Sequence, residues 1–304
     1  MSDSATPHVK RSHSIAVVIP ARNEEDTIAP IVNTIRKRLL EPGIIDELIV
    51  IDSDSTDRTA AIASAAGATT IASREIKPEL GSTPGKGEAL WKSQFVSQSD
   101  IVVFVDADVT TFTAEYVTKL IEPLLADEHI MLSKAYYDRD LVSSQIEQRV
   151  AQGGRVTELM ARPILTLWWP ELASIVQPLA GEWAIRRDVL EQLSIPCGYG
   201  VEIAVLIDVY ERFGIDAIAQ VDLGARRHHH QDLTALSAMA AEVLAAADRR
   251  RSGHIQEPGL EIAHTARIGG VLEQNTRPLN VTERPPVREY LDAQSEGSAP
   301  HTPR

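Results

Sequence analysis

Two carboxylates one residue apart, Asp106 and Asp108, follow directly on the apolar run Ile101-Val-Val-Phe-Val105. Oxygen donors at that spacing suit a hard divalent cation, which bonds carboxylates and keeps positions open for phosphate oxygens. An Asp-x-Asp alone serves equally well to cap the next segment, so its meaning depends on its surroundings. Glu24 and Asp52 also stand at or just past the ends of apolar runs, Ile15–Ile19 and Leu48–Ile51. Lys86, in Gly81-Ser-Thr-Pro-Gly-Lys86, offers a point charge to a phosphate. The stretch is not a P-loop: the first spacing is one residue short, residue 87 is Gly, and no strand leads directly in. Gly153-Gly154-Arg155-Val156-Thr157 opens a helix, where free amides and an arginine make an anion site as readily as a plain break. Glu202 falls in the first turn of the apolar helix 203–213, where the helix dipole favours an acid, structural or functional. His228, His229 and His230 are adjacent and cannot all converge on one metal from a regular element. No Cys-x-x-Cys or His-Glu-x-x-His accompanies them, so one histidine as a ligand is the reasonable reading.

These groups need a frame, and the apolar pattern supplies one. The runs 15–19, 48–51, 69–72 and 101–105 have the length and β-branched content of buried parallel strands. Helical stretches lie between them. Ile28, Ile31, Val32, Ile35 and Leu39 share one helical face, with Pro30 in the first turn where a missing amide costs least. An Ala-rich helix over 58–66 ends at Gly67. Residues 73–87 read as a loop, 88–97 and 113–126 as helices, 130–137 as a strand and 141–152 as a helix. Farther on, a short strand follows Gly181-Glu182, another lies at 218–221, and 233–251 form an amphipathic helix with Leu233, Leu236, Met239, Ala240, Val243 and Leu244 on one side. Alternating strands and helices imply an α/β fold with a mostly parallel, Rossmann-like sheet flanked by helices. In such sheets ligands sit at the carboxyl ends of the strands, where these acids fall.

Composition narrows the options. The 304 residues are 43% hydrophobic and 24% charged, with a net charge of −13. That balance opposes a nucleic-acid partner but permits a local basic pocket. Cys197 is alone, so no internal disulfide forms and a reducing cytoplasm is expected. No apolar run approaches the roughly 20 residues of a membrane span, and the N-terminus lacks a signal-peptide core. Gly-x-Gly-x-x-Gly is missing after the first strand and Gly-x-Ser-x-Gly throughout, which disfavours a nicotinamide enzyme and an α/β-hydrolase.

The set Val-Ile-Pro20-Ala-Arg-Asn-Glu24-Glu, Ile-Asp52-Ser53-x-Ser55-Thr56-Asp57 and Phe-Val-Asp106-Ala-Asp108 resembles the nucleotide-binding half of a retaining glycosyltransferase of the GT-A-type fold. Pro84-Gly-Lys86-Gly-Glu-Ala-Leu-Trp91, Gly153-Gly-Arg155-Val-Thr157-Glu-Leu, Gln177-Pro-Leu, Gly181-Glu and Gly198-Tyr199-Gly-Val-Glu202-Ile narrow the likeness. In order over residues 15–240, they resemble the actinobacterial glucosyl-3-phosphoglycerate synthases and the related mannosyl-3-phosphoglycerate synthases. The resemblance implies transfer of glucose from UDP-glucose to the 2-hydroxyl of D-3-phosphoglycerate, with GDP-mannose as the alternative donor and a non-catalytic nucleotide-sugar sensor as the rival reading. It implies that Pro20, Ala21, Arg22, Glu24 and Ser53 meet uracil and ribose, that Lys86 faces the donor, and that Asp106 and Ala107 line the ribose side. Asp108 and His228 would hold the metal, Mg²⁺ with Mn²⁺ or Co²⁺ as substitutes. Gly154, Arg155, Val156 and Thr157 would cradle phosphoglycerate, Arg226 would neutralise the leaving diphosphate, and Glu202 and Tyr199 would lie near the reacting sugar and acceptor. Attack from the front face is favoured, with Glu202 the one carboxylate worth testing as a nucleophile. Arg22, Asp54, His229 and His230 depart from the family pattern, which has a small residue or Leu, then Gly, then Arg-Asn at those places. The expected organisation is a tail over 1–14, a nucleotide-sugar-binding half over 15–140, an acceptor-binding half over 141–275 and a peripheral tail over 276–304, in a homodimer.

Overall fold

The computed structural model describes residues 13–139, 154–226, 233–268 and 271–295. The first half alternates as its apolar periods demand. Strands β1 (Ile15–Ala21), β2 (Glu47–Asp52), β3 (Thr69–Ala72) and β4 (Ile101–Phe104) enclose helices α1 (Ile28–Ile35), α2 (Thr59–Ala66) and α3 (Lys86–Ser93). Ile28, Ile31, Val32 and Ile35 of α1 are buried, and the helix continues as a π-turn over Arg36–Leu40 that buries Leu39. The loop 73–85 contains two short 3₁₀ turns, and α3 starts two residues earlier than its apolar pattern suggests.

Helix α4 (Glu115–Ala126) leads to β5 (Leu132–Arg139). A helix then runs from Arg155, passes through a π-turn at Thr157–Ala161 and ends as α5 (Arg162–Trp168). Beyond it come β6 (Trp183–Arg186), α6 (Arg187–Leu190), β7 (Ile195–Pro196), α7 (Val201–Phe213), β8 (Ile218–Arg226), α8 (Leu233–Ser252), the ribbon β9 (Glu261–Ile268) and β10 (Val271–Pro278), then β11 (Glu283–Arg284) and α9 (Val287–Ser295). The helix expected over 141–152 lies outside the described residues.

The main sheet has the order β3-β2-β1-β4-β6-β5-β8. All its neighbours pair in parallel except β6, which runs antiparallel between β4 and β5. The carboxyl ends of β1, β2, β4, β5 and β8 therefore share one edge with the amino end of β6. One core cluster lies on each face of the sheet, built on the one side around Trp91, Phe104 and Trp183 and on the other around α1 and α4.

Two expectations are corrected here. In helix α8 Val243 is buried and Leu236, Met239 and Ala240 pack against the core as expected, but Leu233 and Leu244 are exposed and Glu242, Ala246 and Ala247 are buried. Its alanines make more than one face tolerable, so the period alone does not choose the buried one. Residues 279–291, expected to belong to a peripheral tail, pack on the body of the protein. β11 pairs with β7, the Trp91 indole donates to the Pro285 carbonyl at 2.8 Å, and Val287 is fully buried.

Candidate active site

The acid-bearing turns after β1 and β2 are tied to each other before any ligand is considered. The Ser53 amide donates to the Ala21 carbonyl at 2.8 Å, the Glu24 amide to Thr59 Oγ1 at 2.7 Å and the Thr56 amide to Asn23 Oδ1 at 2.8 Å. Asn23 and Asp54 adopt φ of 56° and 57°, in the left-handed region that Asn and Asp tolerate best after Gly. Asp54 thus occupies the backbone conformation that the glycine of the family pattern would take, and it pairs with Arg74.

A cavity of about 560 Å³ opens at this carboxyl edge. It brings together Pro20, Ala21, Arg22, Glu24, Ser53, Lys86, Asp106, Ala107, Asp108, Tyr199 and Glu202, all singled out above. At its centre the Lys86 ammonium lies 2.6 Å from Asp106 Oδ1 and 2.6 Å from Glu202 Oε1. Burial works against that charge, but the two carboxylates outweigh it and raise the lysine above its ordinary value. Lys86 is delivered by the first residue of α3, just after Gly85, whose φ is 140°. Glu202 comes from the first turn of α7 and is buried. Gly181 explains how β6 fits beside this trio, since a Cβ there would lie 2.6 Å from Asp106 Cγ.

Several members of the site escaped the sequence reading. Lys134, in the middle of β5, is 2% exposed and donates to the Ala180 carbonyl at 2.8 Å. Burial brings it down to about 8, and nearby Glu202, Glu182 and Asp106 only partly offset that. A lysine inside an otherwise apolar strand was the available signal. Glu242, Met239 and Asn280 line the cavity from α8 and from the chain after β10. Met239 lies on the apolar helical face read from the sequence, whereas no local pattern marks Glu242 or Asn280.

Of the predicted acceptor residues, Tyr199 lines this cavity, whereas Gly154, Arg155, Val156 and Thr157 are not among its lining residues. Gly154 and Arg155 stand at the start of the helix, while Val156 packs in the core and Thr157 is buried, leaving these two mainly backbone to offer. Arg226 ends β8 opposite Arg139 of β5, at the same edge of the sheet. His228 lies outside the described residues.

The edge suits a hard divalent ion. Asp108 is exposed there, and burial together with the charges of Asp108 and Asp106 raises the Glu24 carboxyl despite its bond from Thr27. Asp106 is engaged by Lys86, and the exposed Asp108, two residues on, brings further carboxylate oxygens to the same edge. Among the described residues no group of three or more His, Cys, Asp or Glu side chains converges as a complete metal cage. An ion that completes its shell with phosphate and water needs few protein ligands.

An open sheet of this order, with acids, a lysine and a nucleotide-sized cavity at its carboxyl edge, is the GT-A arrangement of a glycosyltransferase. The model of Glycosyl transferase family 2 matches residues 16–194. A glucosyl-3-phosphoglycerate synthase of Mycobacterium tuberculosis is 43% identical over 284 residues, covering 92% of this chain and 86% of the relative. The structure of the Mycobacterium tuberculosis synthase solved with Mn²⁺, UDP-glucose and phosphoglyceric acid has a TM-score of 0.80 at 42% identity, over 91% of each chain. The structure solved with Mg²⁺ and UDP has a TM-score of 0.80 at 41% identity, over 91% of this chain and 92% of that one. The chain belongs to glycosyl transferase family 2 and, within it, to the glucosyl-3-phosphoglycerate synthases.

Proposed function

We propose that this chain transfers glucose from UDP-glucose to the 2-hydroxyl of D-3-phosphoglycerate, yielding glucosyl-3-phosphoglycerate and UDP. The observation that carries the reading is the cavity itself: the donor residues expected from the family pattern meet there around the Lys86–Asp106–Glu202 trio. Pro20 to Arg22, Glu24 and Ser53 form the wall for uracil and ribose. Asp108 and His228 would hold Mg²⁺ or Mn²⁺, which supplies charge neutralisation at the diphosphate as the sugar leaves. Lys86 adds a fixed cation on the donor side and Arg226 a second at the leaving group. The phosphoglycerate lies toward Tyr199, with its anionic groups at the helix opened by Gly154, Arg155, Val156 and Thr157.

In the transfer the acceptor O2 bonds to the anomeric carbon as the bond from that carbon to the UDP oxygen breaks. The hydroxyl proton passes to the departing diphosphate. Retention by front-face attack is favoured because Glu202, the one carboxylate considered as a nucleophile, is held by Lys86 at 2.6 Å. The protein works as a homodimer in the cytoplasm. Val271 and Leu272 on the β9–β10 ribbon, each 63% exposed, leave apolar side chains on its two faces for a second copy to cover, and the lone buried Cys197 suits a reducing compartment. Among the described residues no helix is long and apolar enough to cross a membrane.

The test is product formation from D-3-phosphoglycerate with UDP-glucose or GDP-mannose, in Mg²⁺ and in EDTA, for wild type and Asp108→Ala. Metal-dependent release of UDP with a glucosylated product, lost in the variant, is expected. Transfer from GDP-mannose alone would reassign the donor, and tight UDP binding with no transfer would point to a sensor. Light scattering reads the assembly, where a monomer mass refutes the dimer.

A further inference from the structure

Glu242 lies beyond the part of the chain that the family model matches, and the reaction scheme gives it no task. It is 7% exposed and lines the cavity beside Met239 and Val243. Each carboxylate oxygen accepts from a main-chain amide: Tyr199 donates to Oε2 at 2.8 Å and Asn280 to Oε1 at 2.8 Å. Gly198 permits the approach, because a Cβ there would lie 3.0 Å from Glu242 Cδ and crowd its oxygen.

The two amides lead to opposite arms of the central trio. From Tyr199 the chain passes through Gly200 directly into α7, whose first turn carries Glu202. From Asn280 the side-chain amide donates to the Pro84 carbonyl at 2.5 Å, two residues before Lys86. One buried carboxylate on α8 thus fixes both the segment that presents Glu202 and the segment that presents Lys86. An apolar side chain would fill this place at lower desolvation cost, so what the carboxylate contributes is placement. Charge-assisted bonds to two amides define that placement more tightly than packing does.

We infer that Glu242 is a positioning residue for the transfer: through Tyr199 and Asn280 it sets the relation of Glu202 to Lys86 in the cavity. This deepens the function proposed above and rests on it. Glu242→Gln keeps the volume but leaves one acceptor oxygen for two amides. The loss of one charge-assisted bond implies a fall in kcat of about ten- to a hundredfold and a raised KM for phosphoglycerate. UDP affinity in Mg²⁺ falls by a smaller factor than kcat, since most of its wall is built by β1 and β2 and their loops. Hydrogen exchange over 196–202 and 279–285 quickens by a similar ten- to hundredfold, with 15–21 unchanged. Asn280→Ala keeps the amide held by Glu242 but loses the Pro84 contact, and is expected to lower kcat without faster exchange at 196–202. An unaltered kcat in Glu242→Gln, or UDP affinity and thermal stability falling together with kcat, overturns the inference. So does unchanged exchange in both segments. The exchange readout needs no turnover, so a wild type that fails to transfer glucose strikes the proposed function and leaves the Glu242 clamp separately tested.

Discussion

Replacing Lys86 by Met removes an ammonium 2.6 Å from one carboxylate and 2.6 Å from another while keeping most of the volume. Asp106 and Glu202 then face each other across a gap of no more than about 5 Å, set by their shared nitrogen. At an effective dielectric of about 20 their repulsion is worth about 3 kcal/mol. The side chains of Lys86, Asp106 and Glu202 are only 19%, 22% and 7% exposed, so water screens little of this. Measured losses on breaking buried pairs, about 3 to 5 kcal/mol, agree with that size. For a chain of this length the loss corresponds to a thermal midpoint lowered by about 5 to 10 °C. The assay is thermal unfolding in EDTA without nucleotide, so that no added cation replaces the ammonium. Adding Glu202→Gln to Lys86→Met removes one of the two facing charges and is expected to restore at least half of the loss. A single variant within about 2 °C of wild type, or a double variant no better than the single, would refute the charge-neutralising role.

Three further outcomes follow from the same geometry. The Lys134 ammonium is held near 8 in the folded chain against an ordinary 10.5. The unfolded chain binds the extra proton in that interval, so stability rises with pH from about 8 to 10.5. Lys134→Met lacks that rise, and the difference between the two stability curves should change by about 3 kcal/mol across the window; a flat difference rejects the assignment. Gly181→Ala pushes Asp106 away from Lys86, and a displacement near 1 Å costs about 10²-fold in kcat, with UDP affinity falling by a smaller factor. Steady-state kinetics with parallel nucleotide titration decides it. Arg284→Met strands Glu88, which is 1% exposed and bonded twice by that guanidinium at 2.7 Å. It should cost about 3 to 5 kcal/mol and be read by denaturant unfolding, where an unchanged midpoint would show the pair to be dispensable.

The parts of the fold legible in the chain were those coded by local period. The apolar runs became β1, β2 and β4, and Glu24, Asp106 and Asp108 past their ends reached one cavity, whereas Asp52 stays buried and accepts from the Ser55 amide. What remained hidden depends on partners far away in sequence. Trp-Ala-Ile-Arg reads as a strand in either direction, and only its neighbours β4 and β5 make β6 antiparallel. Residues 279–291 look polar and loose until Arg284 meets Glu88 and Tyr290 meets Trp91 and Phe95. Asn280 and Glu242 carry no signal of their own, since the partners that give them meaning are backbone amides and a carbonyl.

The return of the chain's last described segment onto α3 also orders events in time. Arg284 and Pro285 reach back 196 and 194 residues to Glu88 and Trp91. Contacts of such long separation form late, after the cost of closing a large loop has been met. On the ribosome the helix that presents Lys86 therefore waits for residues synthesised after nearly all of the sheet. A chain released before about residue 285 would hold the strands of its nucleotide wall yet lack the brace that seats its lysine.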